Sequence, residues 1–152
     1  MNTRIAIALL CVGALAFATG TRSHSSEPPA ARSERVAESD TPLASSMRIT
    51  VEDGVDFSLH LTNGSSRKLE LRFPSGQTHD FVVLDSIGRE VWRWSEGRLF
   101  TQTLQTKTVD RGETISYSDR WQPEGQRGTF TAVGTLRSST HPVESRVEFE
   151  IR

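Results

Sequence analysis

The sequence has a single cysteine, Cys11, and it lies within an apolar run at the N-terminus. If that run is removed, the rest of the chain can hold no disulfide, no thiolate metal site and no cysteine nucleophile. Lysine is nearly absent, with Lys68 and Lys107 the only two, and the formal net charge is −1. Without an excess of positive charge, the chain lacks the electrostatic footprint of a nucleic-acid binder. From Met47 onward no stretch shows a capped, 3.6-residue apolar period, so a helical domain is not expected. The sequence has no G-x-S-x-G elbow, no H-E-x-x-H motif and no phosphate-cradling glycine loop. Neither a catalytic residue, a metal nor a cofactor is expected.

The N-terminus is distinctive. Arg4 precedes an apolar run from Ile5 to Ala18, and small residues follow. A basic start, an apolar stretch of roughly 7–15 residues and an A-x-A-like site describe a secretory signal peptide over residues 1–20. A membrane-spanning helix needs about 20 apolar residues, so no permanent span is expected. Leu9 and Leu10 precede Cys11, where a lipoprotein would place small residues, so lipid anchoring is not expected. These features predict an exported protein, periplasmic or secreted.

Residues 21–46 are rich in Ser, Pro, Ala, Glu and Arg and almost free of large apolar side chains. Such a segment buries too little surface to offset its ordering entropy, which predicts a disordered linker. His24 falls within it.

From residue 47 to 152 the apolar period becomes two. Val55, Phe57, Leu59 and Leu61 alternate with polar residues, as do Leu69, Leu71 and Phe73, and Val147, Phe149 and Ile151. Each such segment reads as a strand with one apolar and one wet face. The run Phe81-Val82-Val83-Leu84 is apolar on both faces, as in a central strand. Further strands are expected at 48–52, 89–94, 114–118 and 129–136. Asn63-Gly64 reads as a hairpin dipeptide, and also forms a sequon with Ser65. Pro74-Ser75-Gly76, Ile87-Gly88, Arg111-Gly112 and Pro123-Glu124-Gly125 read as further turns. About seven to nine short strands predict an all-β, immunoglobulin-like antiparallel sandwich, with a small closed barrel as the alternative.

His24, His60, His79 and His141 are scattered without metal-like spacing. His79-Asp80 is the one suggestive pair, and a local hydrogen bond is the simpler reading. Glu148 and Glu150 share a strand face and so resemble a glycosidase carboxylate pair, but a charged edge-strand face is the better explanation. Trp92 and Trp94 are two apart, so they are expected to share a strand face. They either cap the core or form an aromatic platform that stacks on sugars.

One segment resembles a known family. The runs Leu59-His60-Leu61-Thr62-Asn63 and Leu71-Arg72-Phe73-Pro74-Ser75-Gly76-Gln77 carry part of the likeness, followed by His79-Asp80-Phe81-Val82-Val83. Gly88-Arg89-Glu90-Val91-Trp92-Arg93-Trp94-Ser95, then Phe100, is the most specific piece. Arg111-Gly112-Glu113, Trp121 and Gly128-Thr129-Phe130-Thr131 complete it. From about Phe57 to Leu136 the chain resembles the BsuPI-type intracellular proteinase inhibitor family. The resemblance implies an immunoglobulin-like sandwich that inhibits a serine proteinase and carries no catalytic residues. The matching residues Asn63, Asp80, Phe81, Trp92, Trp94, Gly112 and Trp121 read as mainly architectural.

An inhibitor acting as a substrate mimic must present a preorganised loop. The first candidate is Glu96, Gly97, Arg98, Leu99 and Phe100. Arg98 would suit a trypsin-like pocket, and Leu99 or Phe100 a subtilisin-like one. The second candidate contains Glu124, Gln126 and Arg127. The expected partner is a serine proteinase or another extracytoplasmic protein. The rival function is an envelope accessory or adhesion module that binds a protein or glycan.

Overall fold

The computed structural model describes residues 42–152. The expected signal peptide, Cys11 and most of the expected linker lie outside the described residues. The nine strands are β1 (Leu43–Val51), β2 (Val55–Asn63), β3 (Leu69–Phe73), β4 (His79–Asp85), β5 (Glu90–Arg93), β6 (Gln105–Val109), β7 (Thr114–Trp121), β8 (Gly128–Leu136) and β9 (Val143–Ile151). No helix occurs among the described residues. Strand β1 begins at Leu43, within the segment expected to be linker, because Leu43 is itself a buried core residue.

All pairings are antiparallel, in the orders β1-β2-β7, β3-β6 and β5-β4-β8-β9. The result is an immunoglobulin-like sandwich, as the alternating pattern predicts. Strand β2 shows why. Val55, Phe57, Leu59 and Leu61 are fully buried, while the residues between them are partly exposed. Burying such side chains contributes about 1.5–3 kcal/mol each. Strand β4 lies between β5 and β8, and Asp80 through Val83 are all buried.

The core is ordered around aromatic rings. Phe57 of β2 stacks on Phe81 of β4 at 5.6 Å and on Trp92 of β5 at 5.4 Å. Trp121 of β7 stacks on Trp92 at 6.3 Å and meets Phe130 of β8 edge-on at 5.6 Å. Phe81, Trp92 and Trp121 therefore join the sheets.

Two local expectations are corrected. Asn63-Gly64 does not close a hairpin, since β2 and β3 belong to different sheets. Neither residue has positive φ, so the turn type that favours this dipeptide is not formed. Asn63 is instead fully buried. Its side-chain amide donates to the carbonyls of Arg67 at 2.8 Å and Val109 at 3.0 Å, and its Oδ1 accepts from the Ser65 backbone N–H at 2.9 Å. Its own carbonyl accepts from the N–H of Gly112, which takes φ +73° in the turn from β6 to β7. The second correction is β6, which was not expected. Only its Val109 is buried, so it shows no apolar alternation.

The outer edge of β3 is covered by the β8–β9 connection. The N–H of Ser139 donates to the Arg72 carbonyl at 2.8 Å, and the Thr140 hydroxyl donates to the Glu70 carbonyl at 2.8 Å.

Candidate functional site: the loop between β5 and β6

Residues 94–104 connect β5 to β6. Trp94 continues the β4–β5 ladder, its N–H donating to the Phe81 carbonyl at 2.9 Å. The chain then turns through two bonds, from Glu96 N–H to the Arg93 carbonyl and from Arg98 N–H to the Ser95 carbonyl, each 3.2 Å. Gly97 takes φ +71°, a conformation that costs a side-chain-bearing residue about 1 kcal/mol or more.

The rings beneath the loop form a layer. His79 at the start of β4 lies 4.2 Å from the Trp94 ring and 4.3 Å from the Tyr117 ring of β7. Phe100 packs against Trp94 at 5.6 Å and is only partly exposed. Burial lowers the His79 pKa below its ordinary value, and Arg98 acts in the same direction, while Asp119 and Asp80 oppose it. Burial also raises the Tyr117 hydroxyl.

Arg98 is half-exposed and folded back onto the protein surface. Its Nε donates to the Trp94 carbonyl at 2.8 Å, and its guanidinium lies 4.5 Å over the Trp94 ring. Its Nη2 lies 3.5 Å from Asp119 of β7. A cation held by a carbonyl, a ring and a carboxylate is costly to withdraw into another pocket. Leu99 is the opposite case, with its side chain 100% exposed. Glu96 and Gly97 are also exposed.

Asp80 and His79 do not form a dyad. As neighbours in a strand they point to opposite faces. The His79 Nδ1 bonds the Thr78 hydroxyl at 3.2 Å, while Asp80 accepts from Arg93 at 2.9 Å and from the Ser95 hydroxyl at 2.8 Å. Glu90 on one side and Asp80 on the other hold Arg93 more firmly protonated. Glu148 and Glu150 are exposed on β9, at the edge of its sheet. Among the described residues there is no cluster of His, Cys, Asp and Glu suited to a metal ion.

The structure therefore brings Asp80, Trp94, Arg98, Leu99 and Phe100 together at one loop. Asn63 and Gly112 meet at a different corner, Phe81 and Trp121 lie in the core, and Trp92 is partly buried against it. The two tryptophans do not form a shared platform, because Trp92 enters the core stack while Trp94 lies under the loop. The second candidate loop, with Glu124, Gln126 and Arg127, is exposed. It is a tight turn, with Glu124 at φ +46°, Gly125 at φ +84° and Gln126 N–H bonded to the Pro123 carbonyl. Its left-handed backbone is far from the extended form that a proteinase cleft accepts.

Sequence reasoning missed Asp119, Ser95 as a partner of Asp80, and the bond from Gly76 N–H to the Thr101 carbonyl at 2.9 Å. Only Asp119 left a signal: it shares a strand face with Ile115, Tyr117 and Trp121, which is the inward face of β7.

A family model described as intracellular proteinase inhibitor, BsuPI, matches residues 43–141. No curated protein matches the chain. The family implies a proteinase as partner, and it is a family of inhibitors rather than of enzymes. Its description as intracellular overturns the extracytoplasmic placement expected from the N-terminal run, and points to the cell interior. No helix among the described residues is long and apolar enough to cross a membrane. With well over half its length matched, the chain belongs to the BsuPI intracellular proteinase inhibitor family.

Proposed function

We propose that this protein inhibits a serine proteinase by binding, without catalysis of its own, through the loop 95–104. Leu99 enters the pocket that accepts the residue preceding a cleaved bond. The observation that carries this reading is the full exposure of Leu99 on a loop tied down on both sides of it. A loop already held in place loses less conformational entropy on binding, so more of its contact energy becomes affinity.

The same geometry favours an apolar pocket. Leu99 is presented, whereas Arg98 is engaged by Trp94 and Asp119. The target is thus a proteinase that selects large apolar residues, as subtilisin does, rather than one that selects arginine, as trypsin does. Phe100, seated against Trp94, keeps the following residue on the inhibitor.

The test is a titration of the full chain against subtilisin and trypsin with a small chromogenic substrate. Stoichiometric loss of subtilisin activity with trypsin untouched is the expected outcome. Folded protein at micromolar concentration that leaves subtilisin fully active would remove the proposed pocket preference. Inhibition of trypsin instead would transfer the contact residue to Arg98.

A further inference from the structure

The loop is held on both sides of Leu99, at Ser95 and at Thr101, by the same short piece of chain. Asp80 holds the first end. Its side chain is 4% exposed, and a buried carboxylate is costly unless its lone pairs are filled. Oδ1 accepts from the Ser95 backbone N–H at 3.2 Å, and Oδ2 accepts from the Ser95 hydroxyl at 2.8 Å and from Arg93 at 2.9 Å. Two of the three donors thus belong to the first residue of the loop.

Gly76 holds the side that follows Leu99. Its N–H donates to the Thr101 carbonyl at 2.9 Å. A Cβ at Gly76 would stand 2.6 Å from Thr101 Oγ1 and 3.3 Å from Thr101 N, so only glycine allows this approach. Residues 76–80 run from the β3–β4 connection into β4, one of the two inner strands of the four-stranded sheet. Leu99 projects from a span whose two ends rest on this one segment.

We propose that Asp80 and Gly76 are positioning residues for inhibition, forming a two-point clamp that keeps the loop from being consumed as a substrate. The inference rests on loop 95–104 being the inhibitory loop. Hydrolysis of a bound loop requires the new amine end to leave and water to take its place. A span fixed at Ser95 and Thr101, with Phe100 packed on Trp94, opposes that departure.

The experiment compares the full chain with Asp80→Asn, Gly76→Ala and the core variant Val147→Ala. Val147 is buried in β9 and serves as a control for general loss of stability. Two quantities are read with subtilisin: the inhibition constant, and the rate of cutting within residues 96–101 by mass spectrometry. Losing one charge-assisted hydrogen bond should weaken inhibition and speed cutting by roughly tenfold in Asp80→Asn. Gly76→Ala should act in the same direction, while Val147→Ala follows only its change in melting temperature.

Equal cutting rates in the clamp variants and Val147→Ala, at matched fractions folded, overturn the clamp. Should Asp80→Asn fail to fold, Ser95→Ala removes the hydroxyl contact alone and supports the same comparison. If the unaltered chain does not inhibit subtilisin, the inhibitory reading fails, while the cutting rates still decide whether the clamp exists.

Discussion

The side-chain amide of Asn63 donates to the Val109 carbonyl at 3.0 Å, tying the end of β2 to the end of β6. Because β6 has no other buried residue, this bond and the Val109 side chain secure the end of the strand that follows the candidate loop. Asn63→Ala would remove the buried donor to the Val109 carbonyl and the acceptor for the Ser65 N–H, while the Arg67 carbonyl keeps the Ser65 hydroxyl at 2.8 Å. The expected cost is about 2–4 kcal/mol, more than loss of a turn preference would give. Asn63→Asp should be no better, since a carboxylate offers no donor to two carbonyls and adds charge at a buried site. Urea melts of both variants decide this. A loss below about 0.5 kcal/mol, as for an ordinary surface turn, would contradict it.

Phe81 and Trp94 are both large aromatics of the family motif, yet they should respond differently to truncation. Phe81 is fully buried against Phe57. Phe81→Ala should cost on the order of 3–5 kcal/mol. Trp94 is partly exposed and supports the loop. Its truncation should cost about half as much, roughly 2 kcal/mol, because only part of its surface leaves water on folding. Equal shifts in thermal midpoint would place Trp94 in the core on the same footing as Phe81.

Much of the fold was legible because alternation is a local signal. The period of two in Val55–Leu61 marks β2, and Phe81–Leu84 reads as central because no face of it is polar. Strand β6 was not legible, because Gln105 through Thr108 face solvent and its pairing with β3 is distant in sequence. The loop was found by its position after the tryptophan strand, but its internal assignment was not. Arg98 and Leu99 read as equal candidates, and their difference depends on Asp119, which is far along the chain. Asn63 was misread because the dipeptide Asn-Gly looks the same in a tight turn and in a buried corner. The expectation of export came from composition at the N-terminus, while the family description rests on the folded domain.

Leu99 and Arg98 should separate function from stability. Leu99→Asp places a charge on a side chain that touches only water, so its melting temperature should match the parent within error. Its inhibition of subtilisin should fall by at least about a hundredfold, because a carboxylate entering an apolar pocket pays its desolvation. Arg98→Ala removes the contacts with Trp94 and Asp119. It should weaken inhibition less, by loosening the loop rather than by removing the contact residue. The reverse ranking in inhibition assays would make Arg98 the residue that enters the pocket.

His79 makes stability depend on pH in a defined direction. Burial between Trp94 and Tyr117 lowers its folded-state pKa below the ordinary 6.5, despite Asp119 and Asp80 favouring the charged form. In the unfolded chain it titrates near the ordinary value. Between the two values the unfolded state binds more protons, so stability falls as pH drops. The loss begins near pH 6.5 and is complete once pH is below the folded value. The carboxylates titrate lower, near pH 4 in the unfolded chain, so they act mainly below this window. His79→Phe keeps an aromatic ring between Trp94 and Tyr117 and removes the titration. The difference in unfolding free energy between the parent and His79→Phe, measured from about pH 7.5 to 5, should move steadily against the parent. A flat difference would mean that His79 accepts a proton as readily between these rings as in water.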